Sequence, residues 1–229
     1  MTEPPSDQGA HPPGDLSQRD HQRLIGYLGL ALPFLLYVVA GLRPTNGIPG
    51  WAPLPSVSAY YYTGAVGMFV GVLFALSLFL FTYPGYGALA DRLVGCLGGF
   101  AALGVALFPT AAPTGLIAPS WWRPWSRGTH YVSAIALFAA FILFSIWLFR
   151  QSNVPRRQDR PADKRRRDTV CLACGLVMIG AVLWTASSLV TQAPIFWPEA
   201  IAIVAFAVSW LVKGEAHKPV VRAIRSMLA

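Results

Sequence analysis

Long stretches with almost no charged residues are the feature that most constrains this chain. Six such stretches occur, each of them predominantly apolar. They cover residues 24–42, 60–83, 93–111, 131–149, 170–190 and 197–213. The hydrocarbon core of a bilayer is about 30 Å thick, and about 20 apolar residues in an α-helix cross it. The sequence therefore predicts an all-α, polytopic membrane protein, a bundle of six transmembrane helices.

Charge content and patterning support the membrane class over a soluble one. Charged residues make up only 12% of the chain, whereas a soluble domain has about 25%. A run such as "VGMFVGVLFALSLFLF" lacks the alternation of polar and apolar residues that a membrane β-barrel shows. Lipid offers no partner to backbone amides, so uninterrupted apolar runs of this length are predicted to be helices.

The positions of the basic residues predict the orientation. With a cytoplasmic N-terminus, 15 of the 18 Lys and Arg residues fall on the cytoplasmic side. The three on the outer side are Arg43, Arg123 and Arg127. This asymmetry follows the positive-inside rule and places both termini in the cytoplasm. Because topology explains the net charge of +8, nucleic acid is not an expected partner.

The segments outside the spans divide into three polar regions around a transmembrane domain of residues 23–213. Residues 1–22 are polar and rich in proline and glycine, which predicts a disordered cytoplasmic tail. Residues 150–169 form a basic cytoplasmic loop, and residues 214–229 form a basic cytoplasmic tail with the pattern of an interfacial helix. Basic segments at this position are expected to contact anionic lipid, so membrane lipids are the predicted partners.

Two glycine pairs predict close helix packing. Gly67 and Gly71 have G-x-x-x-G spacing in the second predicted helix, and Gly95 and Gly99 have it in the third. Small residues at this spacing let helix backbones approach. The favoured interpretation is tight packing of these two helices within one chain, and a homodimer through the same faces is the alternative.

Polar residues from four predicted helices fall at one membrane depth on the outer side. Ser58, Tyr61 and Tyr62 would share one face of the second helix, while Tyr60 is interpreted as an interfacial aromatic residue. His130 is the one histidine within the predicted embedded core. Polar crevices between bundle helices are common ligand sites. The candidate ligand-binding residues are Ser58, Tyr61, Tyr62, Thr110, Arg127, His130 and Glu199.

Motifs for catalysis or metal binding are sparse. Asp91 and Glu199 are predicted at opposite membrane faces, so they cannot form a carboxylate pair. Catalytic zinc needs about three protein ligands, and Cys171-x-x-Cys174 is better explained by helix packing. We therefore predict no catalytic residue, no metal site and no cofactor, and the interpretation leans against an enzyme.

Three functional hypotheses remain open from the sequence. The first is binding or handling of a lipid or amphipathic ligand in the outer crevice. The second is a small transporter or channel subunit with a polar path through the bundle. That path would use Ser77, Ser145, Thr185, Ser187 and Ser188. The third is an intramembrane lipid hydrolase.

Three short motifs carry a resemblance to known families. They are "SVSAYYYTGAVGMFVGVL" (residues 56–73), "ALFPT" (106–110) and "RGTHYVSAIALFAAF" (127–141). This pattern resembles the DRAM-like family and related uncharacterised bacterial families of six-helix membrane proteins. The resemblance implies a six-helix bundle with His130 as a hallmark position. It implies no agreed activity. We predict that the protein lies in a bacterial inner membrane.

A more remote similarity is to intramembrane hydrolases of the ceramidase and adiponectin-receptor type. Those proteins carry a serine, an aspartate and three metal-binding histidines. In this sequence Ser58 and Asp91 would lie on opposite faces, and the histidine pair is missing. The chain departs from that pattern at the residues on which the hydrolase chemistry depends.

Overall fold

Six α-helices and three short 3-10 turns make up the regular structure of the described residues. The computed structural model describes residues 17–45, 51–85, 89–152, 154 and 156–216. The α-helices are α1 (Gln18–Leu42), α2 (Val66–Phe81), α3 (Leu89–Leu107), α4 (Pro124–Ile146), α5 (Ala162–Thr191) and α6 (Phe196–Lys213). The 3-10 turns are Ser58–Tyr62, Leu148–Arg150 and Arg157–Asp159. The all-α prediction is confirmed for this part of the chain.

Five of the helices are long and apolar enough to cross a membrane. They are α1, α3, α5, α6 and α4 together with the turn that follows it. The remaining helix, α2, has 16 residues and so a length of about 24 Å, less than the hydrocarbon thickness of about 30 Å. The structure therefore has the helices of a multi-pass membrane protein, with one predicted span reduced to a shorter apolar helix.

The helices form a closed ring in chain order. Each helix packs against the next one, and α6 packs against α1 to complete the circle. Arg23 Nε, near the start of α1, donates to the Gly214 carbonyl oxygen just after α6 at 2.8 Å. We call the end of the bundle where these two elements meet the basic end, and the opposite end the cap end.

Apolar side chains cover both the interior and the outward faces. Phe34, Phe100 and Ile135 are about 70% exposed on three different helices, which in water would be unfavourable over so wide a surface. Inside the ring, the Phe141 and Phe206 rings stack at a centroid distance of 3.5 Å. Interior and exterior that are both apolar are expected of a bundle surrounded by lipid.

Two helices begin earlier than the sequence predicted, in segments expected to lack helix. The Ser17 side chain accepts a hydrogen bond from Asp20 N at 3.2 Å, so α1 is capped and begins at Gln18. Asp168 pairs with Lys164 one turn earlier at 2.6 Å, and α5 begins at Ala162 within the predicted loop. Residues 18–22 and 162–169 are thus helical. Residues 1–16 and 217–229 of the predicted tails lie outside the described residues.

The prediction from glycine spacing is confirmed in α3 and wrong in α2. A Cβ on Gly95 would lie 2.8 Å from the Leu80 carbonyl oxygen, and a Cβ on Gly99 would lie 2.7 Å from the Phe81 ring. No atom lies within 4 Å of a Cβ placed on Gly67 or on Gly71. The backbones of α2 and α3 approach closely because α3, and not α2, supplies the small residues.

Substitution of these glycines tests the packing directly. Gly95→Ala would push a methyl group against the backbone of α2, and overpacking of this kind costs about 1–3 kcal/mol. We expect it to lower the thermal unfolding temperature of the detergent-purified protein. Gly67→Ala is the matched control and is expected not to lower it. Equal destabilisation by the two substitutions would contradict the contact between α2 and α3.

Candidate functional site

Residues 51–65, which we call the cap segment, lie across the cap end of the bundle. The Pro55 carbonyl oxygen accepts hydrogen bonds from Ile195 N at 2.7 Å and from Phe196 N at 3.0 Å, at the start of α6. The Tyr60 ring is 1% exposed and packs on Phe196 with a centroid distance of 5.9 Å. Tyr60 is therefore a buried anchor of the cap segment, and its interpretation as an interfacial residue was wrong.

The cap segment is not part of α2 because a local hydrogen-bond pattern breaks the helix. Thr63 Oγ1 donates to the Tyr60 carbonyl oxygen at 2.8 Å and accepts from Ala65 N at 3.1 Å. Side-chain bonds of this kind compete with helical ones. The 3-10 turn thus ends at Tyr62 and α2 begins at Val66. The predicted α-helical face shared by Ser58, Tyr61 and Tyr62 does not form.

Ser58 and His130 meet beneath the cap segment. His130 Nε2 lies 2.9 Å from Ser58 Oγ, and His130 Nδ1 lies 2.7 Å from the Phe108 carbonyl oxygen. The His130 side chain is buried, at 2% exposure. The chain after α3 supplies the carbonyl, α4 supplies the imidazole and the 3-10 turn supplies the hydroxyl. Three separate elements therefore converge on one histidine.

The bonding partners indicate which nitrogen of a neutral His130 imidazole carries the proton. A carbonyl oxygen only accepts hydrogen bonds, so Nδ1 of His130 carries the proton that it donates to Phe108. In the neutral ring Nε2 then has a free electron pair and accepts from the Ser58 hydroxyl. This arrangement, a hydroxyl donating to a histidine that a third group orients, is the geometry of an activated nucleophile.

Glu199 ties the cap segment to the first turn of α6. Its Oε2 accepts a hydrogen bond from Val57 N at 2.7 Å. The carboxyl group also lies in the first turn of α6, near the positive end of the helix dipole. The backbone N–H before the 3-10 turn therefore has a side-chain partner, which secures the position of Ser58 next to it.

The other predicted site residues are placed around this centre. The Tyr62 hydroxyl donates to the Thr110 carbonyl oxygen. Tyr61 packs edge-on against Tyr62 and Phe69, with centroid distances of 5.5 and 6.3 Å. Arg127 is exposed on α4, so the structure does not bring its side chain into the buried site.

A narrow cavity of about 50 Å³ extends from Ser58 and Glu199 into the bundle. Ser58 and Glu199 provide its polar side chains, and the other side chains that line it are apolar. These come from α1, α2, α3, α4 and α6, with Leu32, Leu73, Val105, Leu137 and Phe206 as examples. The volume fits a molecule about the size of water. The site is thus amphipathic, with polar groups at the cap and an apolar interior.

The backbone groups of the site were not identified from the sequence. The Phe108 carbonyl lies just beyond the end of α3, where carbonyls lack helical partners. Pro109 follows it and cannot donate a backbone hydrogen bond. A carbonyl that lacks a helical partner at the end of a helix and is followed by a proline could have been recognised in the sequence. The Val57 N–H and its bond to Glu199 had no comparable signal.

The metal-binding potential of the described residues is limited. Within these ranges, no group of three or more His, Cys, Asp or Glu side chains could hold an ion. Asp91 lies in the first turn of α3, at the basic end, and Ser58 lies at the cap end. The serine and the aspartate of the remotely similar hydrolases therefore have no counterpart as a pair in this part of the chain.

Comparison with protein-family models, curated proteins and solved structures gives no significant match. The site must therefore be interpreted from its own geometry and chemistry.

Substitutions of Glu199 test what holds the cap segment. Glu199→Ala removes the acceptor for Val57 N–H, and loss of a hydrogen bond to a charged group costs about 1.5–3 kcal/mol. We expect faster hydrogen exchange in residues 56–62 and a lower unfolding temperature. Glu199→Gln retains an oxygen acceptor and is expected to retain most of the protection. If Glu199→Gln exposes the segment as much as Glu199→Ala does, the charge and not the hydrogen bond secures it.

Proposed function

We propose that this chain is a six-span protein of the bacterial inner membrane that binds a lipid or another amphipathic ligand at the cap end. The observation that carries the proposal is an otherwise apolar cavity with Ser58 and Glu199 at its polar end and His130 bonded to Ser58. Binding sites for amphipathic molecules combine apolar walls with a few placed polar groups. In this proposal α2 and the cap segment together form the sixth crossing.

The distribution of residues at the two ends supports an orientation with the basic end in the cytoplasm. Exposed tryptophans occur at both ends, where aromatic side chains would lie in the headgroup regions. Trp147 lies at the basic end, and four more lie at the cap end. They are Trp51, Trp121, Trp125 and Trp197. The basic residues at the start of α5 and the end of α6 lie at the other end. By the positive-inside rule both termini are then cytoplasmic.

The hydrogen-bonding capacity of the site favours a ligand headgroup that donates. The Ser58 hydroxyl donates its proton to His130, so the Ser58 oxygen can still accept a hydrogen bond. Val57 N–H bonds one oxygen of the Glu199 carboxylate, and a carboxylate has two acceptor oxygens. A hydroxyl- or amine-bearing headgroup complements these acceptors. Because the cavity is narrow, an acyl chain would enter only if the surrounding helices separate.

A specific observation also favours a second candidate function, acyl transfer. The Ser58 hydroxyl donates to a histidine whose other nitrogen is oriented by a carbonyl group. A base in this position removes the proton as the serine oxygen attacks an ester or amide carbonyl. His130 would then give that proton to the departing alcohol or amine as the ester or amide bond breaks, and the serine would carry the acyl group until water or a second alcohol accepts it.

The transport alternative has less support. Ser77 and Ser145 are fully buried, but Ser187 is exposed on α5, so these hydroxyls do not line one path. The stacked Phe141 and Phe206 rings fill the middle of the bundle. A homodimer stays a proposal as well, with the exposed face of α2 around Gly67 and Gly71 as its interface.

Lipid analysis of the purified protein tests the binding proposal. We expect lipid or another amphipathic molecule to co-purify with the full-length protein. His130→Ala and Ser58→Ala are expected to reduce its amount at least several-fold, because both remove the polar end of the site. Ser187→Ala is the control, since it removes an exposed hydroxyl. A lipid profile that is the same in all four proteins, each confirmed to be folded, would count against the proposal.

A fluorophosphonate probe tests the second candidate. An activated Ser58 is expected to form a covalent adduct that peptide mass spectrometry locates, and His130→Ala is expected to slow this labelling by at least about 100-fold, in the range of general-base contributions. Ser58→Ala should abolish it. If the folded wild-type protein is not labelled, the hydrogen bond between Ser58 and His130 has a structural role and the acyl-transfer proposal is wrong.

A further inference from the structure

A second, larger cavity lies at the basic end of the bundle. Its volume is about 570 Å³, within the range of about 300–1,000 Å³ that is typical of ligand sites. It lies between the start of α1, the start of α5, the end of α6 and the chain after α4. Its lining includes four basic side chains, Arg19, Lys164, Arg167 and Lys213.

Two of these side chains are drawn together by one backbone oxygen. Lys164 Nζ and Lys213 Nζ each donate to the Phe149 carbonyl oxygen at 3.0 Å. The two ammonium groups are therefore separated by no more than twice that distance. The Lys213 ammonium also lies 5.5 Å from the centre of the buried Phe149 ring. Two like charges beside an apolar surface repel each other, and an anion between them would remove that repulsion.

Carboxylates around the cavity balance only part of the positive charge. Asp168 pairs with Arg160 and Lys164. Glu215 pairs with Arg19 and Arg167. Lys213 is attracted electrostatically by Asp91, which is buried in α3. Among these groups five cations face three carboxylates, so the cavity keeps a positive surplus.

We propose that this cavity binds the phosphate group of an anionic ligand, either a phospholipid headgroup or a soluble phosphate ester. A phosphate has several acceptor oxygens, which two ammonium groups and a guanidinium can bond at the same time. Uncharged donors such as Gln151 and Ser152 also line the cavity and suit the ester or glycerol part. Basic pockets between membrane helices are suited to anionic headgroups.

This site is independent of the one at the cap end. Lys213 and Glu199 lie on the same helix, and 14 residues at a rise of 1.5 Å separate them by about 21 Å. Binding in this cavity differs from a general attraction of the basic surface to anionic lipid, because it depends on the cavity and on particular side chains. A failure at one end would leave the proposal for the other unaffected.

Titration of the full-length protein in a neutral detergent tests this proposal. The probes are short-chain phosphatidylglycerol, phosphatidylcholine with the same chains and glycerol 3-phosphate, with bound molecules counted by native mass spectrometry. Lys213→Gln removes the charge while its amide can still donate to Phe149, and Lys213→Arg keeps the charge. Arg166→Gln is the matched control, because Arg166 is exposed and adjacent to Arg167 in sequence.

We expect Lys213→Gln to weaken phosphatidylglycerol binding by about tenfold or more, and Lys213→Arg and Arg166→Gln to weaken it by less than about threefold. Binding of glycerol 3-phosphate with the same dependence on Lys213 would support a soluble phosphate ester as the ligand. Three results would overturn the proposal: phosphatidylcholine binds as well as phosphatidylglycerol, Arg166→Gln weakens binding as much as Lys213→Gln, or no phosphate-bearing probe binds the wild-type protein.

Discussion

Backbone amides and carbonyls within an apolar layer have no water to bond, and this constraint governs where the chain departs from α-helix. In the middle of the bundle the backbone is helical, and aromatic side chains such as Phe141 and Phe206 fill the interior. The irregular backbone lies at the ends. There backbone groups bond across elements, as when the Pro55 carbonyl oxygen accepts from two amides at the start of α6. Polar chemistry is consequently confined to the cap end and the basic end.

The cap segment shows how this constraint creates a site. A continuous helix through residues 58–66 would have bonded its own amides and left His130 without its serine partner. The 3-10 turn instead leaves Val57 N–H to be bonded by Glu199 and directs Ser58 to His130. The shorter α2 follows from the same interruption. The break in the helix therefore both shortens α2 and forms the polar centre.

The sequence predicted the class and the order of the helices, because lipid burial acts on whole runs of residues and averages over local detail. It also identified Ser58, His130 and Glu199, since polar residues in such runs are few. It did not predict that α1 extends back to Gln18 or that α5 extends back to Ala162. Those helix starts depend on a capping serine and on ion pairs, which compete with the general polarity of the segments. Of the backbone partners of the three site residues, the Phe108 carbonyl had a signal in the end of α3 and in Pro109, whereas the Val57 N–H had none.

The two ends differ in the hydrogen-bonding and charged groups that they offer to a ligand, and this difference favours two separate ligands. At the cap end the Glu199 carboxyl is bonded by a backbone amide, and His130 bonds a carbonyl oxygen and a hydroxyl. At the basic end, ammonium groups are held side by side by the Phe149 carbonyl. An acceptor-rich site selects donors, and a cationic site selects anions. An anionic headgroup is itself an acceptor and does not complement the acceptors beneath the cap segment, whereas the ammonium groups at the basic end attract it. If both proposals hold, an amphipathic molecule with an anionic headgroup therefore binds at the basic end.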